Sequence, residues 1–279
     1  MIQLNNVRKQ YPGFQLDLNL DIPENTISGL VGVNGSGKTT AFKILTGLIQ
    51  ADQGEAALFG ENAWSLSPAL KQKLGAVFSD SGFADCLTLK ETGQILRSFY
   101  PDYEPGLFAN LCRKMDLPMD KPLSGFSTGM KAKAKIIQAI SHQPSVLILD
   151  EPTAGLDVIA RNEILEMLQD YMTIPGRTIL INSHIASDLE TLCDDFYLIE
   201  NGSIRLHETV DSLLSSYGVL QMDDEQRDHL DRAAVVSEKQ TPAGWKVLVS
   251  DRQYYQENYP DLVLDKSGID DLLLIMEDR

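Results

Sequence analysis

Phe14, Leu16, Leu18, Leu20 and Ile22 are separated by Gln15, Asp17, Asn19 and Asp21. A period of two predicts a half-buried strand, and Pro23 stops it. Residues 2–7 also alternate and read as an edge strand. Tyr11 and the Pro12-Gly13 turn separate the two runs. Stretches 27–31, 74–78 and 178–182 read as short strands. Val146-Leu147-Ile148-Leu149 is apolar throughout, as expected of a parallel strand covered on both faces. Helical spacing takes over in 38–48, where Phe42, Ile44 and Leu45 share one side. Residues 87–99 and 106–115 predict two amphipathic helices divided by Pro101 and Pro105, a helical insertion rather than more sheet. A helix over 127–142 follows, with Lys131, Lys133 and Lys135 alternating with apolar residues until Pro144. Another is expected over 159–171. Residues 52–54 read as a turn and 55–59 as a strand. Residues 196–200 and 203–207 predict a hairpin around Asn201-Gly202.

Beyond Tyr217 the pattern becomes short and mixed. Strand signals at 234–236 and 246–249 alternate with helical ones at 253–258 and 269–276. Residues 217–279 carry Asp and Glu about twice as often as Lys and Arg. They read as a small, acidic C-terminal domain, an α+β appendage. Repeats, low-complexity tracts and coiled-coil heptads are not apparent.

The net charge of −16 over 279 residues argues against gripping a phosphate backbone or an anionic lipid surface by bulk electrostatics. No nucleic acid is therefore expected as a partner. No apolar run approaches the ~18 residues of a membrane span, and the N-terminal residues do not read as a secretion signal. Cys86, Cys112 and Cys193 lie far apart without metal-ligand spacing. They are expected to be small apolar residues in or near the core, in a reducing compartment.

The chemistry concentrates in Gly32-Val33-Asn34-Gly35-Ser36-Gly37-Lys38-Thr39, which fits G-x-x-x-x-G-K-[ST] between a predicted strand and a helix. Glycines let the backbone close around phosphate, and N–H groups at a helix N-terminus make a concave anion site. Lys38 would reach the β- and γ-phosphates, and the Thr39 hydroxyl would ligate Mg²⁺. Asp150, ending the apolar strand, is placed to hold the same Mg²⁺. Its neighbour Glu151 could take a proton from the attacking water.

The P-loop, Asp150-Glu151-Pro152-Thr153, Gly155-Leu156-Asp157 and Ser183-His184 occur in the order and approximate spacing of an ABC-type ATPase. Over residues 1–216 the chain resembles the nucleotide-binding subunit of ABC transporters. The resemblance implies an α/β fold, in which a P-loop NTPase core carries an antiparallel β subdomain and a helical subdomain at about 87–143. It implies ATP and Mg²⁺ as cofactors, with Asn34, Gly35, Ser36, Gly37, Lys38, Thr39 and Thr40 around the phosphates and Tyr11 stacked on adenine. Glu151 would be the catalytic glutamate and His184 the histidine sensing γ-phosphate. Gly155, Leu156 and Asp157 would contact a second ATPase subunit, either the same chain or a paralogue.

Two registers compete for the family's signature, Leu123-Ser124-Gly125-Phe126-Ser127 and Phe126-Ser127-Thr128-Gly129-Met130. The second keeps a serine and a glycine at a helix start, at the family's distance from Asp150. It places Ser127, Thr128, Gly129 and Met130 on the γ-phosphate of the facing subunit. Phe126, Thr128 and Met130 depart from the consensus. The family's glutamine after strand 74–78 is replaced by Ser79, followed by Asp80. Ser79 is the expected replacement toward the metal, through a water. The implied function is ATP hydrolysis powering transport, with export favoured, through separate membrane-spanning subunits. These would hold the chain at the inner face of the cell membrane, without insertion of its own. The alternative is a soluble ABC-type ATPase acting on ribosomes or DNA.

Overall fold

The structure is a computed structural model and describes residues 2–276. In chain order the elements are β1 (Ile2–Tyr11), β2 (Phe14–Ile22), β3 (Ile27–Val31), α1 (Lys38–Leu45), β4 (Gln53–Leu58), β5 (Glu61–Asn62), α2 (Pro68–Lys71) and β6 (Leu74–Val77). The helical stretch is α3 (Leu89–Phe99), α4 (Pro105–Lys114) and α5 (Thr128–Ile140). Then come β7 (Val146–Asp150), α6 (Val158–Met172), β8 (Thr178–Asn182), α7 (Ala186–Leu192), β9 (Asp195–Glu200), β10 (Ser203–Thr209) and α8 (Val210–Ser216). The last part is β11 (Gly218–Met222), α9 (Asp224–Asp228), β12 (Val235–Thr241), β13 (Gly244–Val249), α10 (Arg252–Asn258), β14 (Val263–Lys266) and α11 (Ile269–Met276).

One ten-stranded sheet runs β5-β4-β1-β2-β10-β9-β3-β8-β7-β6. Its β9-β3-β8-β7-β6 part is parallel, so the carboxyl ends of these strands share one edge. Strands β3, β7 and β8 are buried throughout. Their side chains divide by alternation: Leu147, Leu149, Ile179 and Ile181 enter the core beneath α5, α6 and α7, while Val146, Ile148 and Leu180 enter the core shared with α1 and the antiparallel strands. Each such side chain is worth about 1.5–3 kcal/mol of burial. The edge of the parallel sheet that carries the P-loop is thereby rigidly backed from both faces.

Strand β1 is not an edge strand. It lies between β4 and β2, and β5 closes that side of the sheet. It also continues to Tyr11, because a bulge between Leu4 and Val7, with Asn6 at φ 48°, breaks the alternation. Past the bulge, Arg8 and Lys9 find Asp17 and Asp52 at 2.8 and 2.6 Å. The helix after the P-loop ends at Leu45, not at residue 48, because Gly47 adopts a left-handed conformation (φ 68°) and terminates it. Thr88 and Glu91 form a capping box that starts α3. Cys112 and Cys193 are buried, and burial pushes the Cys112 thiol up to about 12. Cys86 is exposed, contrary to the expectation for all three.

A four-stranded antiparallel sheet, β12-β13-β11-β14, begins at Gly218. Leu220, Met222, Val247, Val249 and Tyr255 form its own core. Val219, Leu248, Ile269, Leu272 and Ile275 belong instead to the main core. Among the described residues no helix is long and apolar enough to cross a membrane.

Candidate functional site

The P-loop turns off the end of β3. Gly35 and Gly37 have φ of 84° and 112°, conformations that side chains disfavour. A Cβ on Gly37 would strike the Leu16 side chain and reach 3.0 Å from the Phe14 ring, so β2 fixes how the loop folds. Lys38 is buried and its ammonium bends back to donate to the carbonyls of Gly32 (2.6 Å) and Val33 (2.9 Å). Burial lowers its pKa, and Glu151 and Asp150 partly offset this. Ser36 Oγ is buried with no hydrogen-bond partner, and an orphaned buried hydroxyl is uncommon unless something else completes it. Asn34, Gly35 and Thr39 are exposed and Thr40 half-exposed along the loop and the start of α1. A concave, glycine-lined loop, an inward ammonium and an unmatched hydroxyl fit a phosphate chain.

Strand β7 supplies the carboxylates, and β8, between it and β3, supplies groups that hold them. Thr39 Oγ1 donates to Asp150 Oδ2 at 3.1 Å, and Asn182 Nδ2 donates to Asp150 Oδ1 at 2.6 Å. Asp150 thus sits buried beside the P-loop with an exposed hydroxyl against it, an oxygen pair of the kind that suits Mg²⁺. Glu151 follows in the left-handed region at φ 53°, a strain of about 1–3 kcal/mol for a residue with a Cβ. Its N–H donates to the Asn182 carbonyl at 3.0 Å. Its Oε2 accepts the His184 N–H at 3.2 Å and lies 2.6 Å from His184 Nδ1. The ends of β7 and β8 therefore bring Asp150, Glu151, Asn182 and His184 to one place.

Several contributors carried no sequence signal. Asn182 anchors both carboxylate residues, yet Asn at a strand end is commonplace. Asp188 of α7 is buried; it accepts from Thr153 Oγ1 at 2.6 Å and faces Arg161 Nε at 3.5 Å. It ties the loop after Glu151 to the helix after His184. Replacing Asp188 with Ala should lower stability by about 1–3 kcal/mol, because the Thr153 hydroxyl loses its buried acceptor; urea unfolding checks this. Phe14, which backs the P-loop, also meets Tyr11 at a ring distance of 6.5 Å, and Tyr11 is 37% exposed.

Ser127 is the N-cap of α5, its Oγ accepting the Met130 N–H at 3.2 Å. Ser127 and Thr128 are exposed, and a Cβ on Gly129 would lie 3.1 Å from Ala160 of α6. The competing register, Leu123–Gly125, is a 3₁₀ turn ahead of that helix. Asp157 caps α6 through the Ala160 N–H at 2.9 Å, with Gly155 left-handed (φ 70°). Leu156 packs against the main core, whereas Val158 and Ile159 are 62% and 74% exposed. The three alternating lysines of α5 are all engaged. Lys131 meets Asp85 at 3.0 Å, Lys133 meets Glu163 at 2.5 Å, and Lys135 donates to the Ser79 carbonyl at 2.8 Å. Lys135 thereby ties the helix begun by Ser127 to the Ser79 loop, where the side chains of Ser79 and Asp80 are exposed.

A nucleotide-type loop with two consecutive carboxylates at the end of a parallel strand of the same sheet defines a P-loop ATPase class. Comparison with known proteins narrows it. The ABC transporter family profile matches residues 16–154. The chain is 32% identical over 224 residues to the ABC transporter ATP-binding protein YtrB of Bacillus subtilis, covering 80% of this chain and 76% of the relative. It is 35% identical over 208 residues to the bacitracin transport ATP-binding protein BcrA of Enterococcus faecalis, covering 73% and 68%. A solved ATP-binding subunit of an ABC transporter superposes with a TM-score of 0.69 at 24% identity, over 76% of this chain and 91% of that one. The chain belongs to the family of ABC transporter ATP-binding proteins. It is an ATP-binding subunit and an ATPase that powers transport.

Proposed function

We propose that this chain binds Mg·ATP on Gly32–Thr40 and hydrolyses it with Glu151 as general base. One observation carries the reading: Thr39, Asp150, Glu151 and His184 converge where β3, β7 and β8 end. The glycine backbone and Lys38 would bind the phosphates, and Tyr11 would cover the adenine. Thr39 and Asp150 would hold Mg²⁺, which when bound neutralises charge on the β- and γ-phosphates. Glu151 would orient the attacking water and accept its proton, and His184 fixes that carboxylate. Ser127, Thr128, Gly129 and Met130, at the mouth of α5, would reach the γ-phosphate of a facing subunit. Gly155, Leu156 and Asp157, next to exposed Val158 and Ile159, would line that subunit contact.

Residues 1–216 would form the ATPase domain and 217–279 a C-terminal domain with its own sheet. A groove of about 450 Å³ lined by Phe83, Ile95, Phe99, Tyr100, Ala139 and His142 adjoins the Ser79 loop through Ser81 and Gly82. It suits an amphipathic helix of a membrane-spanning partner, and Phe99 is 69% exposed there. The chain would sit on the inner face of the membrane through that partner. Export is the direction favoured, because another relative, 33% identical over 214 residues, is a Nod factor export ATP-binding protein.

Phosphate release by the purified chain tests the chemistry. Purification of the tagged chain from detergent-solubilised membranes tests the setting: a multi-span partner supports it, and ribosomal RNA in its place supports the alternative. For Ser79, shorter than glutamine by two heavy atoms, a bridging water is expected toward the metal. Ser79→Gln should keep or tighten Mg·ATP binding, and Asp80→Ala should leave it nearly unchanged. Mg²⁺ titration of nucleotide binding measures both, and a marked loss in Asp80→Ala would transfer the role.

A further inference from the structure

The second sheet meets the ATP site through α11. That helix lies against β12, where Lys239 Nζ donates to the Leu274 carbonyl at 2.6 Å and Ser237 Oγ to the Ile275 carbonyl at 3.4 Å. At its start, Glu190 Oε1 of α7 accepts the Ile269 N–H at 2.7 Å. A carboxylate there also complements the helix dipole. A Cβ on Gly268 would stand 2.7 Å from the same oxygen, so glycine is what lets Glu190 close in. Farther along, Leu273 and Met276 share a void of about 20 Å³ with Gly32 and Val33 of the P-loop and Leu198 and Ile199 of β9. That is room for about one water. Ile269, Leu272 and Ile275 are buried in the core that also holds Leu189 and Leu198.

Both ends of α11 therefore adjoin machinery around the nucleotide. Helix α7 starts two residues after His184, and its Asp188 holds Thr153, two residues after Glu151. Gly32 is also confined by β9, since a Cβ there would collide with the Ile199 carbonyl oxygen. We propose that α11 is a positioning element of the ATP site, acting through Glu190, Leu273 and Met276. It holds the first residues of the P-loop and the helix behind His184 in one fixed relation. Packed cores shift between discrete arrangements rather than yielding smoothly. A phosphate cradle of backbone N–H groups loses affinity when its supports loosen. These three residues touch no nucleotide; they act through the P-loop and α7. The inference rests on reading Gly32–Thr40 as the ATP site.

The test uses the full chain carrying Leu273→Ser or Glu190→Ala. Each should raise the KM for Mg·ATP by about two- to thirty-fold, the range of coupling seen for residues remote from a ligand, with kcat changed less. Amide hydrogen exchange in the P-loop and α7 should rise while that of β1 and β2 stays at the wild-type level. Glu190→Gln, which keeps an acceptor for the Ile269 N–H, should restore most of the wild-type KM. Leu220→Ala, a cavity in the separate core of the second sheet, controls for instability and should leave KM and P-loop exchange unchanged. Wild-type KM and P-loop exchange in both test variants would overturn the proposal, as would Leu220→Ala reproducing their effects. If the wild-type chain neither binds nor hydrolyses ATP, the site reading fails. The exchange measurement then still decides the contact, since an unchanged P-loop overturns it.

Discussion

Glu151→Gln should leave ATP binding intact and reduce phosphate release by ~10²–10⁴-fold, the usual range for loss of a general base. Glutamine has the same length and shape, and its carboxamide oxygen can still accept the His184 N–H that Glu151 Oε2 receives at 3.2 Å. The backbone stays anchored by the Asn182 carbonyl. What disappears is an oxygen able to take a proton. The proposed phosphate contacts lie elsewhere, on Lys38 and the P-loop amides, so affinity is not the parameter that should move. Single-turnover phosphate release together with equilibrium nucleotide binding separates the two. A variant with most of the wild-type rate would remove Glu151 from the base role and direct attention to His184.

The second large effect concerns assembly. In the Glu151→Gln background, Mg·ATP should convert the chain from monomer to dimer, because unhydrolysed nucleotide would stay trapped between the P-loop of one copy and Ser127–Met130 of the other. Adding Ser127→Asp should abolish that conversion. Ser127 caps α5, and replacing such a cap by a residue without an acceptor costs about 0.5–2 kcal/mol. Asp caps a helix as well as Ser does, so the fold is spared. Its charge, however, would face the γ-phosphate at a place where the site needs a neutral hydroxyl. Like charges a few ångströms apart in a closing, dehydrating interface repel strongly. Light scattering with and without Mg·ATP reads both results. A mass that never doubles in Glu151→Gln would rule out self-pairing through this surface, and doubling that survives Ser127→Asp would move the trans contact elsewhere.

The substitution with the largest gap between sequence and structure is not a catalytic one. Ser79 could be aligned against the family's glutamine by counting along the chain. That Lys135 grips its carbonyl from α5 could not, because the two residues are far apart in sequence and a lysine among apolar neighbours signals only a helix face. Tyr11 was legible as an aromatic before a turn; its ring contact with Phe14, and the contact Phe14 would make with a Cβ at Gly37, belong to the packing of β2 on the P-loop.

Local chemistry determined much on its own. Alternation in 14–22 and the apolar run at 146–149 specify strands because their periods match the two ways a strand can be buried. The glycine spacing of 32–37, the Lys38-Thr39 pair and Asp150-Glu151 specify a nucleotide site because few other residues permit that backbone and those ligands. Tertiary structure decided what depends on neighbours distant in sequence. It put β1 inside the sheet, since strand order follows from pairing across the whole chain and not from the alternation of one segment. It made Asn182 the support of Asp150 and Glu151, and Asp188 the anchor of the loop that follows them, since a short polar side chain acquires such a role only from the strand or helix that faces it. And it set α11 against α7 and beside the P-loop, a placement made by burying Leu272 and Ile275 in a core whose other walls lie elsewhere along the chain.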